Sequence, residues 1–428
     1  MIRRKARNGG AMRTMLMVLC FGVVPAGPSL AQVDAAKADA YFAEAAQFCK
    51  KDDGKLWGVS LCGPMVFADA ATGTIATNLP VPAAPRPATL GFANATAEWG
   101  GMRWSTYVWQ MIPAARQARG RLFLHELFHR VQPELGLQFG EAANDHLDTL
   151  EGRYWMQLEW RALAAALRGQ ADIRAAAVAD ALAFRSARRA KFPDAGESER
   201  RLEINEGLAQ YTGTVLAAGT AAEAVADALQ QLEDVATTPS FVRTFAYPSG
   251  TAYGLLLEAA SPGWTHRLRS DDDLAELLRQ ATGWTPASNA NSAQSRHGGE
   301  ELLAAETRRE VEHRRRIVEL RRRFVDGPVL VLPHAKVSTS VTMGRVVIPG
   351  AGTVLPKFRT VAEWGTLEAE SVLTSPGRDK LVVPAPARID TQAVTGEGWV
   401  FHVAEGWKIQ PGPRKGDYQL LPAASPPR

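Results

Sequence analysis

The sequence predicts an α+β protein with a mainly helical central domain, a small sheet in front of it and a small β domain at the C-terminus. Apolar residues recur at helical spacing through much of residues 145–324. Short runs of β-branched and aromatic residues precede that region, and after Val329 valine, threonine, glycine and proline dominate. The 428 residues suffice for two or three domains. We expect a signal peptide over 1–31, an N-terminal segment over 32–98, a helical domain over 99–327 and a β domain over 328–428.

The first 31 residues have the organisation of an export signal. A basic region precedes the apolar run Met15–Val24, and small residues lead to Ala31, where we expect cleavage. The apolar run is too short to span a bilayer, so a periplasmic or secreted protein with no permanent membrane anchor is predicted. Cys49 and Cys62 would remain after cleavage, and an oxidising compartment would allow them to pair.

The composition favours an ordinary soluble protein over a nucleic-acid-binding one. Hydrophobic residues make up 46% of the chain and charged residues 22%. The formal charge of +4 comes from 49 basic and 45 acidic residues, but five of the basic residues and none of the acids lie in the predicted signal, which leaves 44 against 45. Because no basic surface is indicated, we expect no nucleic-acid partner.

Four segments are predicted ahead of the helix that carries the histidine motif. Asp34–Lys51 has the pattern of an amphipathic helix with Asp34 as its N-cap. Leu61–Asn78 indicates two short strands, and the proline- and alanine-rich segment Leu79–Thr89 an extended linker. Trp99–Ile112 is predicted to be one strand, and a strand in this position could offer its edge to an extended peptide.

Helical periodicity then continues almost to the C-terminal domain. The predicted helices are Leu147–Leu167, Ala171–Ala190, Glu197–Ala217, Ala221–Leu232, Thr251–Ala260, Asp272–Thr282 and Glu300–Phe324. The last is rich in acid–base pairs four residues apart, such as Glu310 and Arg314, which is typical of a solvated helix face.

The segment Arg121–Gln132 contains the motif His125-Glu126-Leu-Phe-His129. Residues four apart lie on one face of a helix, so both imidazoles can bind one zinc ion at about 2.0–2.1 Å. Glu126 lies beside them, where it could accept a proton from a water molecule on the metal. The alternative is a chance match in which the histidines are merely packed or solvated.

A hydrolytic zinc site needs a third protein ligand and one open position. The positions required by the compact pattern HExxHxxGxxH hold other residues, so the third ligand must come from farther along the chain. Glu206 is the first choice, because Gly207 after it permits close helix packing. The alternatives are Glu203, Asp148, Glu151 and His146.

The motif at His125, together with Asn205-Glu206-Gly-Leu-Ala-Gln-Tyr211, resembles the gluzincins, zinc peptidases that use glutamate as third ligand. It is most similar to aminopeptidase-N-type and thermolysin-like catalytic domains, whose signature is Asn-Glu-Gly-Phe-Ala-x-Tyr. The resemblance implies a zincin-like domain over 99–327, a peptide or protein substrate, and zinc held by His125, His129 and Glu206, with Glu126 as general base.

The same family carries a Tyr-x-x-Gly-Ala-like stretch whose tyrosine donates a hydrogen bond to the oxyanion. Tyr247-Pro-Ser-Gly250 resembles it, which nominates Tyr247, with Tyr253 as the second choice. Two departures stand out. His129 and Glu206 are separated by 76 residues, far more than in the family pattern, whose own spacing falls at Asp148. In addition, Arg103 stands where the aminopeptidases place an amine-binding glutamate, and an arginine could meet a carboxylate there.

The expected function is therefore that of an exported zinc-dependent peptidase. The alternative is a non-catalytic binding or scaffold protein with a gluzincin-like fold, stabilised by zinc, in which the C-terminal β domain performs the binding.

Overall fold

A computed structural model describes residues 32–137, 139, 144–283, 290–334, 338–339, 345–390 and 393–423. The predicted signal peptide lies outside these residues. About 49% of the chain is helical and 20% is in strands, so the predicted mixture of helix and strand is confirmed. No helix within the described ranges is both long and apolar enough to cross a membrane.

The helices follow the predicted order, except that α8 begins five residues earlier than predicted and α10 was not predicted. In chain order they are α1 Ala35–Asp52, α2 Arg116–Val131, α3 Leu150–Arg168, α4 Ala171–Lys191, α5 Ala195–Leu202, α6 Leu208–Ala217, α7 Ala221–Val235, α8 Ala246–Ala260, α9 Leu274–Thr282, α10 Ala290–Arg296 and α11 Gly299–Arg321. The predicted helix Glu197–Ala217 is present as a continuous helical segment, but a π-helical turn at Glu203–Gly207, which was not predicted, lies between α5 and α6. Asp34 caps α1 as predicted by accepting from the backbone N–H of Lys37 at 2.8 Å.

The strands form two sheets. Those of the first are β1 Met65–Ala68, β2 Ile75–Thr77, β3 Ala95–Trp99 and β4 Met102–Val108. Those of the second are β5 Val329–Pro333, β6 Ser338–Thr339, β7 Val346–Ile348, β8 Gly352–Ala362, β9 Gly365–Thr374, β10 Lys380–Pro384, β11 Pro386–Ile389, β12 Val394–Gly396, β13 Trp399–Val403, β14 Trp407–Pro411 and β15 Tyr418–Pro422.

The first sheet has the order β2-β1-β4-β3, with β1 parallel to β4 and the other pairs antiparallel. The prediction of one strand over Trp99–Ile112 is wrong, since Gly100 and Gly101 adopt φ of 60° and 77° and reverse the chain into a hairpin. As a result β4 is interior and β3 forms the edge. The sheet also joins the predicted segment 32–98 to the residues after it.

The sheet and helix α2 are joined by hydrogen bonds from β4. The Ser105 hydroxyl donates to the carbonyl oxygen of Glu126 at 3.0 Å, and the Tyr107 hydroxyl to that of Phe123 at 2.9 Å. Both hydroxyls are buried, and satisfying them fixes the position of α2 against the sheet. The apolar face of α2 is buried as the periodicity indicates: Phe123, Leu124, Leu127, Phe128 and Val131.

The second sheet has its own apolar core, which includes Trp364, Leu367 and Phe401. A smaller cluster joins this sheet to the end of α11 through Leu320 and Phe324. Helix α11 is not solvated on every face, because Glu306 is buried and receives a hydrogen bond from Arg153 of α3 at 2.7 Å.

Cys49 and Cys62, whose pairing the sequence allowed but left open, form a disulfide between the end of α1 and the segment before β1. That segment contacts α2, because the guanidinium of Arg130 donates to the carbonyl oxygen of Cys62 at 3.0 Å. The cross-link therefore restrains a segment that packs beside the predicted metal-binding helix.

We expect the double substitution Cys49→Ser and Cys62→Ser to lower the free energy of unfolding by about 3 kcal/mol, since it releases a closed loop of this length in the unfolded chain. Urea denaturation of oxidised protein measures the difference. Reductant should destabilise the wild type to the same extent and leave the double variant unchanged. Equal stability of variant and oxidised wild type would contradict the role given to the bond.

Candidate metal centre

Two imidazoles and one carboxylate converge at the C-terminal half of α2. The Nε2 atoms of His125 and His129 lie 3.1 Å apart, and the Oε2 atom of Glu206 lies 3.6 Å from each of them. A tetrahedral ion with ligand bonds of 2.0–2.1 Å separates its ligands by about 3.3 Å. Among the residues that the structure describes, His125, His129 and Glu206 form the one group of three or more His, Cys, Asp or Glu side chains that could hold a metal ion. The donor atoms and their spacing fit a divalent cation.

Glu206 reaches this position from the π-helical turn between α5 and α6. A π turn adds a residue to the helical repeat and so rotates the side chains that follow, and such turns are frequent at functional sites. The π turn packs closely against α8, because a Cβ atom placed on Gly207 would lie only 2.9 Å from the Cα of Gly250 in that helix. The close approach expected at Gly207 is therefore present.

Gln132 connects the two parts of the site. Its Oε1 lies 2.6 Å from Nδ1 of His129 and accepts the proton that Nδ1 carries, so that loss of the other ring proton leaves the lone pair on Nε2, where a metal could bind. Its Nε2 donates to the backbone carbonyls of Ile204 at 3.2 Å and Asn205 at 2.8 Å. One amide thus fixes the tautomer of His129 and ties α2 to the π turn.

The second oxygen of Glu206 is occupied by protein donors. Arg243 donates to Oε1 at 2.7 Å, and the amide of Asn205 donates to the same atom at 3.0 Å. Only Oε2 faces the two histidines. Burial raises the pKa of Glu206, but hydrogen bonds with His125 and His129 outweigh burial and hold that pKa below its usual range. The carboxylate is therefore ionised and oriented.

Glu126 and Tyr247 lie beside the three possible ligands. Burial raises the pKa of Glu126, while His125 and His129 lower it in part. The ring of Tyr247 stacks on that of His125 with centroids 5.7 Å apart. Burial, together with the charge of Glu206, raises the pKa of Tyr247, so the phenol keeps its proton at neutral pH and can donate a hydrogen bond.

A cleft of about 240 Å³ gives access to this group. One wall is the beginning of the edge strand β3, including Ala95 and Thr96, and the other includes Phe139 and Arg243. The strand beside the cleft is thus β3, the outer member of the hairpin, and not the interior strand β4 that covers most of the predicted Trp99–Ile112 segment.

The other residues considered as third ligand form hydrogen bonds or ion pairs away from the two histidines. Glu203 forms a two-point pair with Arg185, at 2.9 and 2.5 Å. Asp148 accepts from the hydroxyl of Ser240 at 2.8 Å and from the backbone N–H of Phe241 at 2.9 Å. Glu151 accepts from the indole of Trp155, and His146 pairs with Glu199 at 2.9 Å.

Two further residues of the family comparison lie away from the cleft. The Tyr253 hydroxyl donates to Glu159 at 2.9 Å and is fully buried, so Tyr247 and not Tyr253 faces the site. Arg103 does meet a carboxylate, but it is that of Glu98 across the β3–β4 hairpin at 3.0 Å. It does not line the cleft.

Sequence reasoning did not assign roles to Gln132 and Arg243. Each is close in sequence to a predicted site residue: Gln132 follows His129 by three residues at the end of α2, and Arg243 precedes Tyr247 by four residues in the turn before α8. That spacing is the signal that could have indicated them.

No protein-family model matches this chain, and comparison with curated proteins and with solved structures gave no match.

We expect metal binding to release about one proton at pH 7. Burial lowers the pKa of His129, but its hydrogen bond with Glu206 raises it to about 9, so the metal-free folded chain holds a proton that a cation must displace. Affinity for Zn²⁺ should rise about tenfold per pH unit below pH 9. Between the ordinary pKa of 6.5 and 9, the stability that this pair gives the metal-free fold should fall as pH rises.

Calorimetric titration with Zn²⁺ in two buffers of different ionisation enthalpy measures the released protons. A His129→Gln variant should release none from this position. Proton release near zero from the wild type would contradict the protonation assigned to His129.

Proposed function

We propose that the protein is an exported, zinc-dependent peptidase of gluzincin type. The convergence of His125, His129 and Glu206 beside Glu126 and Tyr247 in one cleft carries this proposal. Two imidazoles and one carboxylate favour zinc over magnesium or calcium, which prefer oxygen ligands throughout. Three protein ligands would leave one position open for water or substrate, as a catalytic zinc site requires.

When bound, zinc would lower the pKa of a water molecule and polarise the carbonyl of the peptide. Glu126 then accepts a proton from the attacking water and passes it to the leaving amine. Its burial supports this role, because burial raises the pKa of the carboxyl group toward the working pH, and a carboxylate with a higher pKa is a stronger base. His125 and His129 restrain the rise by favouring the charged form.

Tyr247 is the donor for the negative charge that develops on the peptide oxygen. Its phenol is neutral and is held against His125, so little rearrangement is needed when the charge appears. The edge of β3 offers backbone N–H and C=O groups along the cleft, to which an extended peptide could pair as an additional strand. Exposed backbone of this kind suits a peptide substrate.

The alternative function, a zinc-stabilised binding protein without turnover, is favoured by one observation. The C-terminal sheet has an apolar core of its own and could bind a partner independently of the cleft. Metal content without hydrolysis would support this alternative.

Replacing Glu126 by Gln should lower hydrolysis by about 10²–10⁴-fold, the contribution of a positioned general base, while zinc stays bound. A quenched fluorescent peptide library measures cleavage, and metal analysis of the same sample measures zinc. Glu134→Gln, at an exposed carboxylate beyond the end of α2, is the control and should cleave like the wild type. Unchanged cleavage by the Glu126 variant would remove it as the base.

Replacing Tyr247 by Phe should lower kcat by about 10²–10³-fold, as for loss of one oxyanion donor, with little change in zinc content. Tyr154→Phe is the matched control, since its buried hydroxyl bonds Gln294, away from the cleft. Equal kcat in the two phenylalanine variants would show that Tyr247 does not stabilise the transition state.

A further inference from the structure

A network of buried charges lies behind the π turn that carries Glu206. It joins arginines of α4 to carboxylates of α3, of α5, of the π turn and of the residue before α9. Its members are Arg185, Arg188, Arg189, Glu159, Glu199, Glu203 and Asp273. Arg188, Glu159 and Glu199 are completely removed from solvent. None of these side chains lines the cleft.

Within this network Glu203 is the member that belongs to the π turn. Its two oxygens receive the two terminal nitrogens of Arg185, at 2.9 and 2.5 Å. Glu199, by contrast, lies on α5 and pairs with Arg188 through two nitrogens, at 2.7 and 3.0 Å. The network therefore offers two similar two-point pairs, one on the π turn and one four residues before it.

The two-point pair restrains the rotation of the π turn. A guanidinium that binds both oxygens of a carboxylate fixes its plane as well as its distance. Glu203 stands three residues before Glu206 and is 1% exposed, while Arg185 is 3% exposed. With Gln132 bound to the carbonyls of residues 204 and 205, the turn is fixed at its beginning and its middle.

Stability alone is a weak explanation for this pair. Buried ion pairs can often be replaced by apolar side chains without loss of stability, because desolvation offsets most of the attraction. An apolar contact, however, does not fix the orientation of a side chain, whereas a two-point ion pair does. Arg185 is itself held by Glu159 of α3 at 3.1 Å and by Asp273, the residue before α9, at 3.3 Å, so its orientation is set by other segments besides the π turn.

We propose that Arg185 and Glu203 are a positioning pair for the metal ligand Glu206. On this view the helices α3 and α4, which lie in the 76 residues between His129 and Glu206, form the support on which the third ligand is held. The inference rests on the proposed metal site, and it assigns the pair no contact with substrate or metal.

The test compares Glu203→Gln with Glu199→Gln. Both changes remove one charge from an equally buried two-point pair, but only the first acts on the π turn. We expect Glu203→Gln to weaken Zn²⁺ binding about 10–100-fold, the range for loss of a partner that orients a ligand. Glu199→Gln should lose at least as much stability, since Glu199 also pairs with Arg189 and His146, yet bind Zn²⁺ like the wild type.

Zn²⁺ affinity is measured by competition with a chromophoric chelator, and chemical denaturation of the metal-free proteins measures stability. The absorption spectrum of the Co²⁺-loaded proteins adds a report on ligand geometry, which should change in the Glu203 variant and not in the Glu199 variant. Arg185→Lys keeps the charge and loses the two-point geometry. It should give an intermediate affinity, and it decides the question if Glu203→Gln does not fold.

Equal weakening of Zn²⁺ binding by Glu203→Gln and Glu199→Gln would overturn the proposal, because the network would then support the fold in general. Wild-type affinity in both Glu203→Gln and Arg185→Lys would overturn it as well. Failure of the wild type to bind Zn²⁺ would instead refute the proposed function itself, and the positioning role with it.

Discussion

The arrangement of the helical region depends on one constraint: donor atoms of His125 and His129 on α2 and of Glu206 on the π turn lie within 4.8 Å of one another in the protein interior. Burying a carboxylate is costly unless positive charge or hydrogen bonds compensate. Here the imidazoles meet one oxygen of Glu206, and Arg243 meets the other. The metal-free protein thus keeps these side chains together by attraction between the Glu206 carboxylate and the positive charge around it, and a cation would replace the proton of His129.

Each neighbouring element helps to hold these three side chains in place through a different contact. The sheet fixes α2 through the hydroxyls of Ser105 and Tyr107, which bond to backbone carbonyls of the helix. Gln132 fixes the ring of His129 and the π turn with a single amide. Since Gly207 brings α8 close, Tyr247 of that helix can stack on His125. The site is therefore held by a rigid scaffold, which ligand geometry requires.

The three side chains that could hold a metal ion could be predicted because their sequence signals are local: two histidines four residues apart on one helix, and a short motif around Glu206. The π turn could not, since one additional residue hardly alters hydrophobic periodicity over Glu197–Ala217. Helix α8 begins at Ala246 and not at Thr251. Pro248 does not prevent this, because backbone N–H groups in the first turn of a helix have no acceptor within the helix, so the N–H that proline lacks is not missed. The pair of Arg185 with Glu203 joins separate elements, and no periodic pattern in the sequence indicates such a contact.

The long separation of His129 from Glu206 has a physical consequence of its own. Loop-closure entropy grows only slowly with length, so the presence of α3 and α4 between the two residues adds little cost once those helices bury their own apolar surface. In return Glu206 stands on a turn that is anchored by the pair of Arg185 with Glu203 as well as by Gln132. A bound cation would then join two separately supported parts of the core, and its binding free energy would add to the stability of the junction between them. Glu206 is consequently the residue through which a bound metal and the fold would stabilise each other.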